Sequence, residues 1–178
     1  MSISLAPGNQ NAAQGAKFQL NFSRLPYITF FCMSANIPGV TATPVSQKTL
    51  FVELYAPGDK IVYETLDVRF IVDEDYRSWE SVHDWIRGTT FPKEFQEYDN
   101  LKLQNRYPNV PSKEPAYQYS DAILSLYTNR NNPHIRVHFI DCFPISLSSV
   151  TFDTEYNADH IIYAEASFKF SYYNIERL

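Results

Sequence analysis

Asp73, Glu74 and Asp75 stand in a row within IVDEDYRSWESVHDWIRG, residues Ile71–Gly88, and Glu80, His83 and Asp84 follow closely. Acids grouped in this way can hold a divalent cation or share general acid and base work. Their spacing points elsewhere. Tyr76, Trp79, Val82 or His83, and Ile86 recur at helical intervals, which predicts the apolar stripe of one amphipathic helix. The helix cap and first turn then fall on Asp73, Glu74 and Asp75. There a carboxylate accepts otherwise unpaired N–H groups and meets the positive end of the helix dipole. Arg87 suits the last turn, and Gly88 supplies the stop. Trp79 is expected in the core and Trp85 at a boundary or interface. A metal site would need further oxygen ligands from elsewhere in the chain.

The remaining reactive side chains are poorly placed for catalysis. His134 and His138 lie in HIRVHF, a strand pattern that sets Arg136 between them on one face. Two imidazoles beside a guanidinium make a poor cation site; metal-bound His is usually braced by a carboxylate or carbonyl. Asp141-Cys142 could pair with a His as a nucleophile, but Cys142 sits in an apolar run, where a buried thiol is inert. No GxSxG, HExxH, phosphate-loop or dinucleotide fingerprint occurs. No catalytic residue, metal or cofactor is expected, and the protein is not expected to be an enzyme.

These residues need elements to position them. The chain has 178 residues, 44% hydrophobic and 20% charged, enough for one domain with a core. A net charge of −5 disfavours sequence-independent binding of duplex DNA. The two cysteines, Cys32 and Cys142, form no metal-binding spacing and suit a reducing compartment. No apolar run reaches membrane-spanning length, so no membrane partner is expected. Residues 1–16, rich in Ala, Gly, Asn and Gln, are expected to form a mobile N-terminal arm, with a single β domain over 17–178.

Aromatic residues make up 16% of the chain, with 13 Tyr and 13 Phe, a composition that favours strands and interfaces. AKFQLNFSRL alternates cleanly, and Pro26 is expected to end it. YITFFCMSANI is predicted as a second strand, stopped at Pro38-Gly39. VSQKTLFVELYA and IVYETLDVRFIV follow, each of 12 residues, joined through Pro57-Gly58-Asp59-Lys60. Fully extended, each would reach about 40 Å, so the hairpin Val45–Val72 is expected to project beyond its own core. After the helix, residues 91–120 are polar, contain four prolines and lack a steady period, as an inserted loop would. Strands resume at DAILSLYT, HIRVHFIDCF and ISLSSVTFDTEY. In the closing strand Ile162, Ala164, Ala166, Phe168, Phe170 and Tyr172 share one face, and Tyr163, Glu165, Ser167, Lys169 and Ser171 the other. The fold class is mostly β: antiparallel strands in a sandwich or barrel-like protomer, one flanking α-helix and a long β-hairpin.

Four stretches in order resemble the tail tube family of contractile bacteriophages: KFQLNFSRLPYITFFCMSANIPGV, ETLDVRFIVDEDYRSW leading to HDWIRG, PHIRVHFIDCFPISLSSVTFD, and IIYAEASFKFSYYNI. The third is also similar to the tube-initiator proteins of the baseplate. The resemblance implies a structural virion protein that forms hexameric rings, each closing a β-barrel, stacked into a tube. DNA would pass through the lumen without specific binding, and a contractile sheath and a baseplate initiator would be partners. Localisation would be the phage tail, with assembly in the host cytoplasm. A baseplate or tube-terminator paralogue is the alternative. A carbohydrate- or peptide-binding β-sandwich, with Trp85 and the segment YPNVPSKEPAYQY as its platform, is a more distant one, as is a small hydrolase using His and acid residues.

Open sheet edges agree with the assembling reading, because closure through neighbouring copies would satisfy every exposed backbone group. The polar strand faces would then line a water-filled channel. The lumen-facing candidates are Glu53, Glu64, Asp67, Arg69, Glu165, Ser167, Lys169 and Ser171. Between Glu64 and Glu80, six acids against two arginines leave a net of −4. A mixed or negative lumen would let DNA slide.

Overall fold

The computed structural model describes residues 15, 17–90, 93, 96, 118–153 and 161–178. In chain order the strands are β1 (Phe18–Phe22), β2 (Cys32–Ala35), β3 (Val40–Ala42), β4 (Val45–Lys48), β5 (Glu53–Ala56), β6 (Ile61–Tyr63), β7 (Leu66–Ile71), β8 (Ser120–Tyr127), β9 (Pro133–Leu147), β10 (Tyr163–Lys169) and β11 (Tyr172–Arg177). Helix α1 (Pro26–Phe31) lies between β1 and β2, and α2 (Arg77–Thr90) follows β7. The expected arm 1–16 and insertion 91–120 fall almost wholly outside the described residues.

Strand order is β1-β8-β9-β10-β7-β2, with β11 also paired to β9, and every pairing is antiparallel. The 15-residue β9 is the spine of the fold. Its first half pairs with β8 and β11, and its second half with β10. The change of sheet occurs at Asp141, which is buried and has φ 55°, the left-handed region where a non-glycine residue is strained. Local hydrogen bonds hold it there: its N–H donates to the Asp121 carboxylate (3.2 Å), and the Ser171 hydroxyl donates to its own carboxylate (3.0 Å).

The two halves turn their apolar faces toward each other. Leu20, Phe22, Ala122, Leu124, Val137 and Phe139 from one meet Leu66, Val68, Phe70, Ala164, Ala166 and Phe168 from the other. The Phe22 and Phe168 rings lie 4.8 Å apart across this core. The result is mostly β and sandwich-like, with antiparallel sheets, a flanking helix and a long hairpin, as the alternation in the sequence predicts.

Several expectations need correction. The predicted second strand begins as helix α1. Pro26 opens that helix rather than merely ending β1, because its fixed φ and missing N–H suit a first helical position. Ile28 is buried beneath it, and the Thr29 N–H donates to the Leu25 carbonyl. The closing strand breaks at Phe170-Ser171, so Tyr172 belongs to β11 and is exposed. The pattern read as separate strands around Pro144 is one strand, β9, and residues 148–153 are not in a strand.

The helix stripe is also displaced. The buried residues of α2 are Ser78, Val82, Trp85 and Gly88. Trp85 is 1% exposed, and Trp79 is only partly buried, the reverse of the prediction. Two apolar series overlap at Val82, and the one containing small Ser78 and Gly88 lets the helix approach the sheet. Gly88 thus serves packing rather than termination, and α2 runs on to Thr90.

Asp73 lies outside the helix and reaches back to it. Its carboxylate accepts from the N–H groups of Arg77 (3.2 Å) and Ser78 (2.7 Å) and from the Ser78 hydroxyl. Glu74 is exposed, and Asp75 pairs with Arg77 at 3.4 Å on the surface. Desolvation opposes the charge on Asp73, but the hydrogen bonds from Ser78 and Arg77 outweigh it and lower its pKa. A lowered carboxyl stabilises the fold above its unfolded value of about 3.9 and ceases to do so as the pH falls through the folded value. Asp73→Asn should therefore flatten acid destabilisation below about pH 4, and Asp73→Ala should cost about 0.5–2 kcal/mol. Urea unfolding across pH measures both.

Candidate functional site

Four strand segments form one continuous surface: the second half of β9, then β10, β7 and β2. Alternation turns the residues opposite the core outward. Ser167 pairs with Asp67, Glu165 with Arg69, and Tyr163 with Ile71 on β10 and β7. Ser34 of β2 continues the row beside Arg69, and Ser146 of β9 continues it beside Ser167. Five predicted lumen-facing residues therefore share one surface: Asp67, Arg69, Glu165, Ser167 and Lys169. Arg69 stands 3.9 Å from the Glu165 carboxylate and 4.6 Å over the Tyr163 ring. The Lys169 ammonium donates to the Tyr63 carbonyl at 2.9 Å.

The other three candidates lie elsewhere. Glu53 sits far out on the hairpin, where it accepts from the Tyr55 hydroxyl at 3.3 Å. Glu64 is at the root of the hairpin, its side chain over Gly39. Ser171 turns to Asp141 at the β10–β11 corner.

The hairpin itself leaves the body as an extension of the β2–β7 pair. β3 pairs with β6, and β4 with β5. Its tip is Thr49-Leu50-Phe51-Val52, where the Thr49 hydroxyl and N–H both donate to the Val52 carbonyl (2.6 and 3.1 Å). Pro57-Gly58-Asp59-Lys60, the predicted turn, is instead an irregular stretch between β5 and β6, opposite Thr43-Pro44. Gly58 is required there, because a Cβ would collide with the Thr43 carbonyl oxygen. The pairing of Ala35 with Val68 sets the tip, since its midpoint falls between Phe51 and Val52.

The arm is rooted firmly and bare beyond its root. Tyr63 packs against Phe170 and Tyr173 at 5.5 and 5.3 Å. Asn36 donates to the Thr65 carbonyl (3.0 Å) and accepts from the Asp67 N–H (2.7 Å). Past this base every residue of β3, β4 and β5 is exposed. Leu50 and Phe51 at the tip are 95% and 97% exposed.

The reactive side chains are engaged otherwise. Cys142 is buried, and desolvation pushes its thiol pKa far up, so it is not a thiolate. His138 Nε2 lies 3.2 Å from Glu176. Trp85, a proposed member of an aromatic binding platform, is inside the core, donating its indole N–H to the Gln118 carbonyl at 3.0 Å. That removes the principal ring of a carbohydrate-binding surface; most of the Tyr-rich segment with it lies outside the described residues. Among the described residues, no group of three or more His, Cys, Asp or Glu is placed to hold a metal. No helix among them is long and apolar enough to cross a membrane.

Comparisons with known proteins bear on these surfaces. A relative, the tail tube terminator protein of Enterobacteria phage T4, is 26% identical over 124 residues, covering 68% of this chain and 61% of that protein. The chain thus spans less than two thirds of that relative. A chain of the tube-terminating cap of the anti-feeding prophage has a similar fold, with a TM-score of 0.57, 14% identity and full coverage of both chains (100% each). A chain of the sheath–tube complex of an extracellular contractile injection system, PVC, in its extended state aligns at TM-score 0.56 and 13% identity, over 95% of this chain and 94% of that one. The family model described as phage tail tube protein matches residues 2–176, and the chain belongs to that family of structural tail components.

Proposed function

We propose that this chain forms hexameric rings that stack into a tail tube, with the β9–β10–β7–β2 surface lining the channel through which DNA passes. The observation that carries this is the pairing of a polar four-strand face with two margins that are unpaired among the described residues. Among the described residues, β2 is hydrogen-bonded only to β7, and the second half of β9 pairs along β10. The free edge of β2 in one copy joins the free edge of β9 in the next, a heterologous contact that closes by rotation. Closure removes the edges and leaves the serines and charges of this face in water. The arm crosses to the adjacent ring, where its bare apolar tip finds cover. The outer surface of the ring meets a contractile sheath, and the tube continues from a baseplate initiator. Assembly in the host cytoplasm precedes incorporation into the virion.

A second reading is supported by the T4 relative and the cap-like fold: a terminator ring that ends the tube instead of repeating along it. The two differ in copy number. Electron microscopy of the purified protein, alone and with baseplate partners, should show hexameric rings that extend into tubes. Single rings confined to tube ends would favour the terminator. A chain that stays monomeric at high concentration in every mixture would overturn both.

A further inference from the structure

We propose that the two cations of the channel face, Arg69 and Lys169, are tied down within the protomer, and that this tying, more than net charge, keeps the surface from holding nucleic acid. This rests on the channel assignment above.

The charged residues of the face are Asp67, Arg69, Glu165 and Lys169. β2 and the second half of β9 add none, their residues being Cys32-Met33-Ser34-Ala35 and Phe143-Pro144-Ile145-Ser146-Leu147. Two carboxylates and two cations cancel, so the face has no net charge with which to repel phosphate. A neutral surface bearing loose arginine and lysine would still capture a polyanion, because each cation that meets a phosphate releases a condensed counterion. A ring repeats each cation in every copy, so a moving strand would meet a circle of such contacts.

The geometry gives each of them a partner within the protomer. Arg69 is flanked by the Glu165 carboxylate at 3.9 Å and by the Tyr163 ring at 4.6 Å from its centroid. These neighbours share the face and the register: Glu165 is directly opposite Arg69, and Tyr163 is opposite Ile71, two residues along. Lys169 points along the sheet to the arm root and donates a hydrogen bond to the Tyr63 carbonyl at 2.9 Å. It is only partly exposed. Asp67 is different. It accepts from the Thr65 hydroxyl at 3.3 Å and has no ion pair among the described residues. A phosphate approaching the face thus meets an open carboxylate, a half-exposed arginine paired with Glu165 and lying over the Tyr163 ring, and a lysine bonded to the Tyr63 carbonyl.

This separates two substitutions of equal formal charge. Glu165→Gln and Asp67→Asn each add one positive charge per protomer, but only the first releases Arg69. The test uses assembled tubes and a short fluorescent single-stranded oligodeoxynucleotide, with retention measured by sedimentation from low to high salt. Glu165→Gln should raise low-salt retention by roughly tenfold, with a steep loss on adding salt. Asp67→Asn should raise it by less than about twofold. Tyr163→Leu changes no charge and should move retention the same way as Glu165→Gln, and Arg69→Gln added to Glu165→Gln should restore the original level. Equal increases for Glu165→Gln and Asp67→Asn would overturn the proposal in favour of net charge alone. Imaging of the same tubes separates this from failure of the channel assignment. The proposal fails alone if the face lines the channel and no variant alters retention; it fails together with the assignment if the face lies outside.

Discussion

Trp85→Ala is expected to lower the unfolding free energy by about 3–5 kcal/mol, the largest loss available from a single side chain of α2. The indole is 1% exposed and lies against Phe168, with ring centroids 6.2 Å apart. The Arg24 guanidinium covers its other side at 4.9 Å. Its N–H is satisfied by the Gln118 carbonyl, so truncation opens a cavity and also orphans an acceptor. Partial burial lowers the Arg24 pKa to about 10, so the guanidinium is still charged at neutral pH and depends on that ring for part of its cover. Trp79 makes the contrast. It stacks on His83 at 5.1 Å and donates to the Ser148 carbonyl at 3.2 Å, but it is only partly buried. Trp79→Ala should cost about 1–2 kcal/mol. Urea unfolding of unassembled protein, followed by circular dichroism, ranks the two. A larger loss at Trp79 would contradict the packing described here.

That ranking is where sequence reasoning erred, and the error has a physical origin. Amphipathic periodicity locates a helix well, but it assigns a face only when polar and apolar residues separate. In α2 a tryptophan falls on either side of Val82, and the deciding residues are Ser78 and Gly88, whose small size permits contact and carries no hydrophobic signal. Strand alternation was more telling. The inward face Ala164, Ala166, Phe168 and Phe170 is buried as the pattern predicts, because a pleated strand with one wet face has no other solution. Register across strands was not legible. Asp67, Arg69, Glu165, Ser167 and Lys169 could be named as polar, but their meeting on one surface depends on β10 pairing with β7, a contact spanning most of the chain. The hairpin shows the same limit. Pro57-Gly58 is a strong turn signal locally, yet the longer pairing that starts at β2 and β7 sets the tip at Leu50-Phe51 and makes the glycine an accommodation for the close approach of Thr43.

The tip supports the second large effect. Leu50→Asp together with Phe51→Asp should abolish ring-to-ring stacking while changing the unfolding free energy by no more than about 0.5 kcal/mol. Both side chains are almost wholly in water, at 95% and 97% exposure, so the isolated fold gains little from them. A two-stranded ribbon is marginal by itself, and this one has a sided surface. On the β4–β5 ladder Val45 and Ala56 pair, and Gln47 and Leu54 pair, on one face; Ser46 with Tyr55 and Lys48 with Glu53 occupy the other. Covering Leu50 and Phe51 completely would contribute about 1.5–3 kcal/mol each, and in the proposed ring every arm would engage at once, so the loss would multiply around it. A carboxylate at either position would carry its desolvation cost into the same contact. Gly58→Ala should act on the same step from a distance, because the added Cβ displaces Thr43 and tilts the distal ribbon. Analytical ultracentrifugation and electron microscopy read the outcome: folded rings without tubes are expected from the tip variant. Tubes of normal length from the double aspartate variant would show that the arm has no part in stacking, and would shift the ring-to-ring contact to the body of the protomer.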